Sequence, residues 1–244
     1  MITVIHAPTA ADPFLVIAKP PGLSSAPLTA DTGNSTSALS EALVLFPELA
    51  AVDGKKAFEH GLLHRLDRAT TGLLLIAATQ EAYDALDRAQ QRGAFTKSYR
   101  ADCVLHPDNA QALGGFPPCP FRVRPETPLT VVSAFRAYGI GRRAVRPVTP
   151  LSGPAARAKG GARLYATDII VAPHTDGFLQ ATCTITRGAR HQVRCHLAWL
   201  GFPVVGDALY NATVFATDAQ LHFSAYRLSF PHPLTAQPVT VTLP

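Results

Sequence analysis

The sequence predicts an α+β fold built on a mixed, mainly antiparallel sheet with flanking helices, and three observations lead there. Phe14–Ala18 (FLVIA) and Gly72–Ala78 (GLLLIAA) are apolar runs, too short for buried helices and bounded by turn residues, so they read as central strands. From Phe178 to Thr186 apolar and polar residues alternate, the mark of a half-buried strand. Strand-like segments outnumber helical ones, and their spacing is too irregular for successive parallel crossover units.

The elements follow in order. The FLVIA strand stops at the Lys19-Pro20-Pro21-Gly22 turn. A polar loop of small residues runs from Leu23 to Thr36, and a short helix from Thr36 to Leu45 ends before Pro47. After the GLLLIAA strand, Glu81–Arg92 reads as a helix, with Glu81 near its positive end and Gly93 as its stop. Lys97–Leu105 is the next strand. Thr127–Thr167 carries Arg136, Arg142, Arg143, Arg146, Arg157, Lys159 and Arg163 with no acid, and its Gly and Pro residues suggest a long basic loop. In the strand at 178–186, Leu179, Ala181, Cys183 and Ile185 face one way, with Gln180, Thr182, Thr184 and Thr186 opposite. The chain then passes Gly188 into a helix at about Arg190 to Leu200, closed by Gly201 and Pro203. No internal repeat is visible.

Bulk properties bound the function. With 244 residues, 47% apolar and 16% charged, the chain folds and buries a substantial core. A formal charge of +5 favours a polyanionic partner such as RNA. The start, MITVIHAPTA, has no cationic lead into an apolar run, and no stretch approaches the roughly 20 apolar residues that span a bilayer. Cys103, Cys119, Cys183 and Cys195 never form a CxxC pair, which argues against a zinc knuckle or a secreted disulfide framework. The expectation is a monomeric cytoplasmic enzyme with reduced thiols.

Three stretches carry chemistry. In HRLDRATTGLLLIA (64–77), Asp67 lies between Arg65 and Arg68 just before a buried strand. Cationic neighbours hold such a carboxylate ionised and the strand fixes it, which suits a nucleophile or general base; a surface ion pair is the plain alternative. In RGARHQVRCH (187–196), helical spacing puts Val193, His196, Leu197 and Leu200 on one inward face, and Arg190 with Arg194 on another. Those arginines suit an anion, either a phosphate or Asp67 itself, unless they form a solvated basic face. In KSYRA (97–101), Tyr99 between cations could stack on a base, or simply pack at a sheet edge. Neither His191/His196 nor His60/His64 has good metal-ligand spacing, so no metal site is expected.

Together these stretches resemble the RluA-type pseudouridine synthases. HRLDRATTGLLLIA resembles the catalytic H-R-L-D motif and its following T-S-G-L-L-L strand, and KSYRA resembles K-x-Y-x-A. GARHQVRCHLAWLGFPVVGDALY (188–210) resembles H-Q-[IV]-R-x-H followed by G-x-P-[IV]-x-G-D-x-x-Y, and KPPG at Lys19–Gly22 resembles the opening K-P-x-G. The matches keep the family order from about residue 14 to 230. The resemblance implies a bent, mixed, mainly antiparallel sheet with a central catalytic cleft, and no metal or organic cofactor. It implies Asp67 as nucleophile and Arg65 as the side chain that fills the space left by a flipped uridine. Tyr99 would stack on the target base, Val193 would pack beneath it, and Arg194 would pair with Asp67. His64 and Arg190 join the substrate-binding residues. Thr71 stands where serine is usual, and Ala189-Arg190 stands where Arg then a small residue is common.

The expected function is isomerisation of uridines to pseudouridine in structured RNA, tRNA or rRNA, by a single catalytic domain over 1–244 with no separate N-terminal RNA-binding domain. The basic segment at about 127–167 would then grip phosphates, with Arg142, Arg143 and Arg146 as its contacts. A non-catalytic RNA-binding protein on the same scaffold predicts decay of the acid, tyrosine or arginine, yet all three are present. A glycoside hydrolase needs two cooperating carboxylates, and only one stands out.

Overall fold

Apolar runs without alternation become strands covered on both faces, and that rule organises the first part of the chain. In the computed structural model, which describes residues 1–27, 36–174, 177–213 and 220–244, the elements in chain order are as follows. Up to residue 113 they are β1 (Thr3–His6), β2 (Phe14–Lys19), α1 (Ala38–Leu45), β3 (Thr71–Ala77), α2 (Gln80–Gln91), β4 (Thr96–Cys103) and α3 (Asn109–Leu113). The remainder are β5 (Leu129–Tyr138), β6 (Ala144–Val148), α4 (Pro154–Ala158), β7 (Tyr165–Pro173), β8 (Leu179–Ile185), α5 (Gln192–Trp199), β9 (Phe223–Pro231) and β10 (Pro238–Thr242). The class is the expected one, α+β with mainly antiparallel strands. Of the polar loop expected over 23–36, residues 28–35 lie outside the described residues.

The chain forms two compact units, residues 1–97 with 224–244, and residues 98–223. In the first, β2 pairs antiparallel with β1 and with β3, in a register that runs from Phe14↔Ala77 to Lys19↔Gly72. β3 meets β9 in parallel at Thr71↔Ser224 and Gly72↔Ala225, and β10 closes antiparallel on β9. Helix α2 begins at Thr79, whose hydroxyl accepts from the Ala82 amide, and it buries Ala82, Tyr83, Leu86 and Ala89. That face packs with Phe14, Val16, Leu73, Leu75, Phe95, Leu228 and Phe230 in the unit's core.

The second unit corrects one expectation. The basic segment 127–167 is mostly regular structure, not a long loop. β5 pairs with β7 along Leu129–Ser133 and with β6 along Ala134–Tyr138. The apolar and β-branched residues of LTVVSAFRAY and AVRPV outweigh their cations, so the cations ride on strands: Arg136 and Arg146 are cross-strand partners. β7 pairs in turn with β8, whose Ala181, Cys183 and Ile185 are buried as alternation required.

Helix α5 is corrected too. It starts at Gln192 because His191 adopts a left-handed conformation (φ 56°), and every residue from Gln192 to Trp199 is buried. Arg190 therefore lies outside the helix and shares no helical face with Arg194.

Gly72 is the backbone position on which β3 depends. Its φ is +120°, and a Cβ there would come within 2.3 Å of the Ala225 carbonyl oxygen. Gly72→Ala should cost about 2–4 kcal/mol; a urea midpoint equal to the parent's would contradict this.

Candidate active site

The segment carrying Asp67 is pinned from both sides by backbone bonds. It first runs against β3: Ala77 N donates to Gly61 O (2.8 Å) and Leu63 N to Leu75 O (3.0 Å), with a bridge at Leu62↔Ile76. Only glycine fits at 61, because a Cβ would lie 2.1 Å from Ala77 O. Ser25 then staples Leu66: its hydroxyl donates to Leu66 O and accepts from Leu66 N, both at 2.9 Å. After Asp67, Thr70 N donates to Asp67 O (3.0 Å), closing a turn. Gly22 N donates to Arg68 O (2.9 Å), and Arg68 Nε returns a bond to Gly22 O (2.7 Å). The backbone on either side of Asp67 is thus held by residues far away in sequence, which positions a reacting group.

Lys19, at the end of β2, connects these loops. Its ammonium donates to Pro20 O (2.9 Å), Leu23 O (2.8 Å) and Arg68 O (3.1 Å). Burial pulls its pKa down to about 8, and the charge of Asp67 opposes that shift. His64 is driven down to about 3 by burial and then by Lys97, so it is neutral; neither ring nitrogen has a hydrogen-bond partner among the described residues. Lys97 is lowered to about 8 by burial and by Lys55. Arg65 points outward, 58% exposed, with Nη1 3.2 Å from Glu59 Oε1.

The second unit holds Tyr99, Arg190, Val193 and Arg194. Tyr99 is buried and stacks on Phe223, with centroids 5.1 Å apart and planes 8° from parallel. Arg194 makes a bidentate pair with Asp207, Nε to Oδ2 and Nη2 to Oδ1, both 2.7 Å. Both groups are buried. Asp207 Oδ1 also accepts from Leu209 N (3.0 Å) and Tyr210 N (3.2 Å), and the Tyr210 ring lies 5.3 Å from the Arg194 guanidinium. Asp207 and Tyr210 escaped the residue-level reading, although both stand in the quoted GDALY stretch. Val193 is buried on α5, and Arg190 donates to the carbonyls of Arg142 and Ala144.

Of the three cations expected to grip phosphates, Arg146 is corrected. Only 3% of it is exposed; it donates to the carbonyls of Leu113, Gly114 and Val145 and packs over Phe116 and Tyr138. Arg142 and Arg143 are exposed. No group of His, Cys, Asp or Glu among the described residues is arranged to hold a metal. Among those residues no helix is long and apolar enough to cross a membrane.

Comparisons with known proteins identify the family. A family model described as RNA pseudouridylate synthase matches residues 13–199. An uncharacterised RNA pseudouridine synthase of Bacillus subtilis is 30% identical over 75% of this chain and 54% of its own. Ribosomal large subunit pseudouridine synthase D of Xanthomonas campestris is 30% identical over 96% and 63%, and that of Vibrio vulnificus 29% over 93% and 62%. The chain thus spans less than two thirds of the length of these relatives. Among solved structures, human RNA pseudouridylate synthase domain containing 1 superposes with a TM-score of 0.66 at 21% identity, covering 100% of this chain and 83% of that one. That likeness shows the fold.

Two outcomes follow from the site's electrostatics. Asp207→Asn leaves Arg194 buried beside a neutral amide, which should cost about 3–5 kcal/mol of stability; a loss under about 1 kcal/mol in urea unfolding would sink the buried pair. The second concerns Lys97, whose folded pKa of about 8 lies below its unfolded value of 10.5. Between those values the unfolded chain binds more protons, so Lys97's penalty on folding fades as pH rises. The stability of the parent minus that of Lys97→Met should therefore rise by about 2–3 kcal/mol from pH 8 to 10.5. A flat difference would contradict the lowered value.

Proposed function

Because the chain belongs to the RNA pseudouridylate synthase family and carries the RluA-type motifs, we propose that it isomerises uridine to pseudouridine in structured RNA, with Asp67 as the catalytic carboxylate. The observation that carries the proposal is the Asp67 segment itself, fixed by Ser25, Lys19, Gly22 and β3 inside the stretch that the family shares. In the reaction the bond from uracil N1 to the ribose C1′ breaks, the base turns, and a bond from C5 to C1′ forms. C5 gives up its proton and N1 gains one, so atoms and electrons balance with no oxidant or reductant. Asp67 acts at the ribose C1′, at the neighbouring ribose proton or at uracil C6; each route requires the ionised carboxylate.

The target glycosidic bond is out of reach in a stacked strand, so the uridine flips out, at a cost of a few kcal/mol. Arg65, exposed and paired with Glu59, has the length to occupy the vacated space. Tyr99 stacks on the base, Val193 packs beneath it, Arg194 supports the ionised carboxylate, and His64 and Arg190 contribute to RNA binding. These roles are assigned through the motif resemblance. The relatives named for the large ribosomal subunit support ribosomal RNA as the first substrate class to test, with tRNA the other.

The test is a map of pseudouridines in total RNA from cells with and without the gene. At least one modified position should vanish on deletion and return on complementation. Identical maps would overturn the proposal.

A further inference from the structure

The β5–β6 pair places two guanidinium groups side by side without an acid. Arg136 and Arg146 are cross-strand partners, and among the described residues neither has a carboxylate partner. They share the ring of Tyr138, at 5.0 Å and 4.4 Å. Arg146 is spent on structure, its donors directed to backbone carbonyls. Arg136 is different: Nη2 donates to Gly115 O (2.9 Å), while its buried Nε has no hydrogen-bond partner among the described residues. The same side chain lines a cavity of about 360 Å³ with Gly153, Pro154, Ala155, Ala156 and Lys159. The 153–161 segment returns to β5 through the bond from Gly161 N to Phe135 O (3.1 Å), which keeps Lys159 beside this strand. Like charges gathered at one cavity, in a segment that holds no acid from Thr127 to Thr167, are complementary to an anion.

We propose that this cavity is a subsite for one nucleotide of the RNA outside the reacting uridine. Its phosphodiester pairs with Arg136 and Lys159, and its sugar or base lies on the Pro154–Ala155–Ala156 surface. The volume falls at the low end of the roughly 300–1,000 Å³ typical of ligand sites. The lining brings Arg136 and Lys159 together with the small residues Gly153, Pro154, Ala155 and Ala156. This inference rests on the reading that the substrate is RNA, and it relocates the phosphate grip from Arg146 to Arg136 and Lys159.

The experiment is a titration of a fluorescein-labelled oligouridylate over a salt series with the full chain, alongside Lys159→Glu, Arg136→Gln and the control Arg92→Glu. Arg92 is an exposed cation at the end of α2, and its reversal changes net charge as much as reversal of Lys159. Each phosphate contact adds about 0.7 to the slope of log affinity against log salt for single strands. Lys159→Glu and Arg136→Gln should each lower that slope by about 0.7 and weaken binding about fivefold at low salt, with Arg92→Glu near the parent. Lys159 is exposed, so its variant tests the subsite even if Arg136→Gln folds poorly. Slopes for Lys159→Glu equal to those of Arg92→Glu, or no binding by the parent, overturn the subsite. Lowered slopes together with an unchanged pseudouridine map would retain the subsite and remove only the isomerase reading.

Discussion

The first unit's site is organised around a buried ammonium. Lys19 ends β2 inside the protein, and its charge is satisfied by three carbonyls, of Pro20, Leu23 and Arg68. A buried cation that lost those acceptors would carry a large desolvation penalty, so the turn after β2 and the Asp67 segment are held to one geometry. Arg68 and Gly22 reinforce the same junction through two further bonds, and Ser25 fixes Leu66 on the other side. Asp67 sits between these anchors, within reach of the field of Lys19. Rigid placement of one carboxylate, with fixed charge nearby, is what a reaction with little room for reorganisation demands.

The second unit also buries a cation, and satisfies it with an acid. Arg194 is buried on α5 and needs an acid, which Asp207 supplies in a bidentate fork while taking two backbone amides of its own. Tyr210 connects this fork to its surroundings: its hydroxyl accepts from Val145 N and bonds His191 Nδ1, so the strand, the left-handed turn and the helix start are coupled. His196, neutral with a pKa lowered by burial to about 3, is bonded to Ser133 and Thr167 and locks the far side of α5. The outcome is a helix buried along its whole length, with the Arg194 head held in a fixed orientation.

Much of this was legible in the residues. Apolar runs at 14–18 and 72–78 located the two central strands, the capped helix over 81–92 was readable from its ends, and alternation gave the buried face of β8. The HRLD stretch singled out Asp67 as the candidate carboxylate, a role that rests on the motif resemblance. What escaped the reading were effects of pairing at long range. No local pattern says that Asp207 rather than another acid meets Arg194, that Ser25 staples Leu66, or that Arg146 turns inward to three carbonyls. The basic segment misled because Gly, Pro and Arg read as loop signals, while Val131, Ala134 and Val145 were already placed for strands. Helix α5 was drawn two residues too early, since His191 adopts a left-handed backbone that no local pattern announces, with its ring bonded to Tyr210.

The proposed reaction depends on the carboxylate of Asp67. The most direct measurement is tritium release from RNA carrying C5-tritiated uridine, comparing the parent with Asp67→Asn, which nearly preserves size but cannot act as nucleophile or base. At least about a thousandfold loss of turnover is expected, with RNA affinity and the unfolding midpoint unchanged. Release by Asp67→Asn at a rate near the parent's would contradict it.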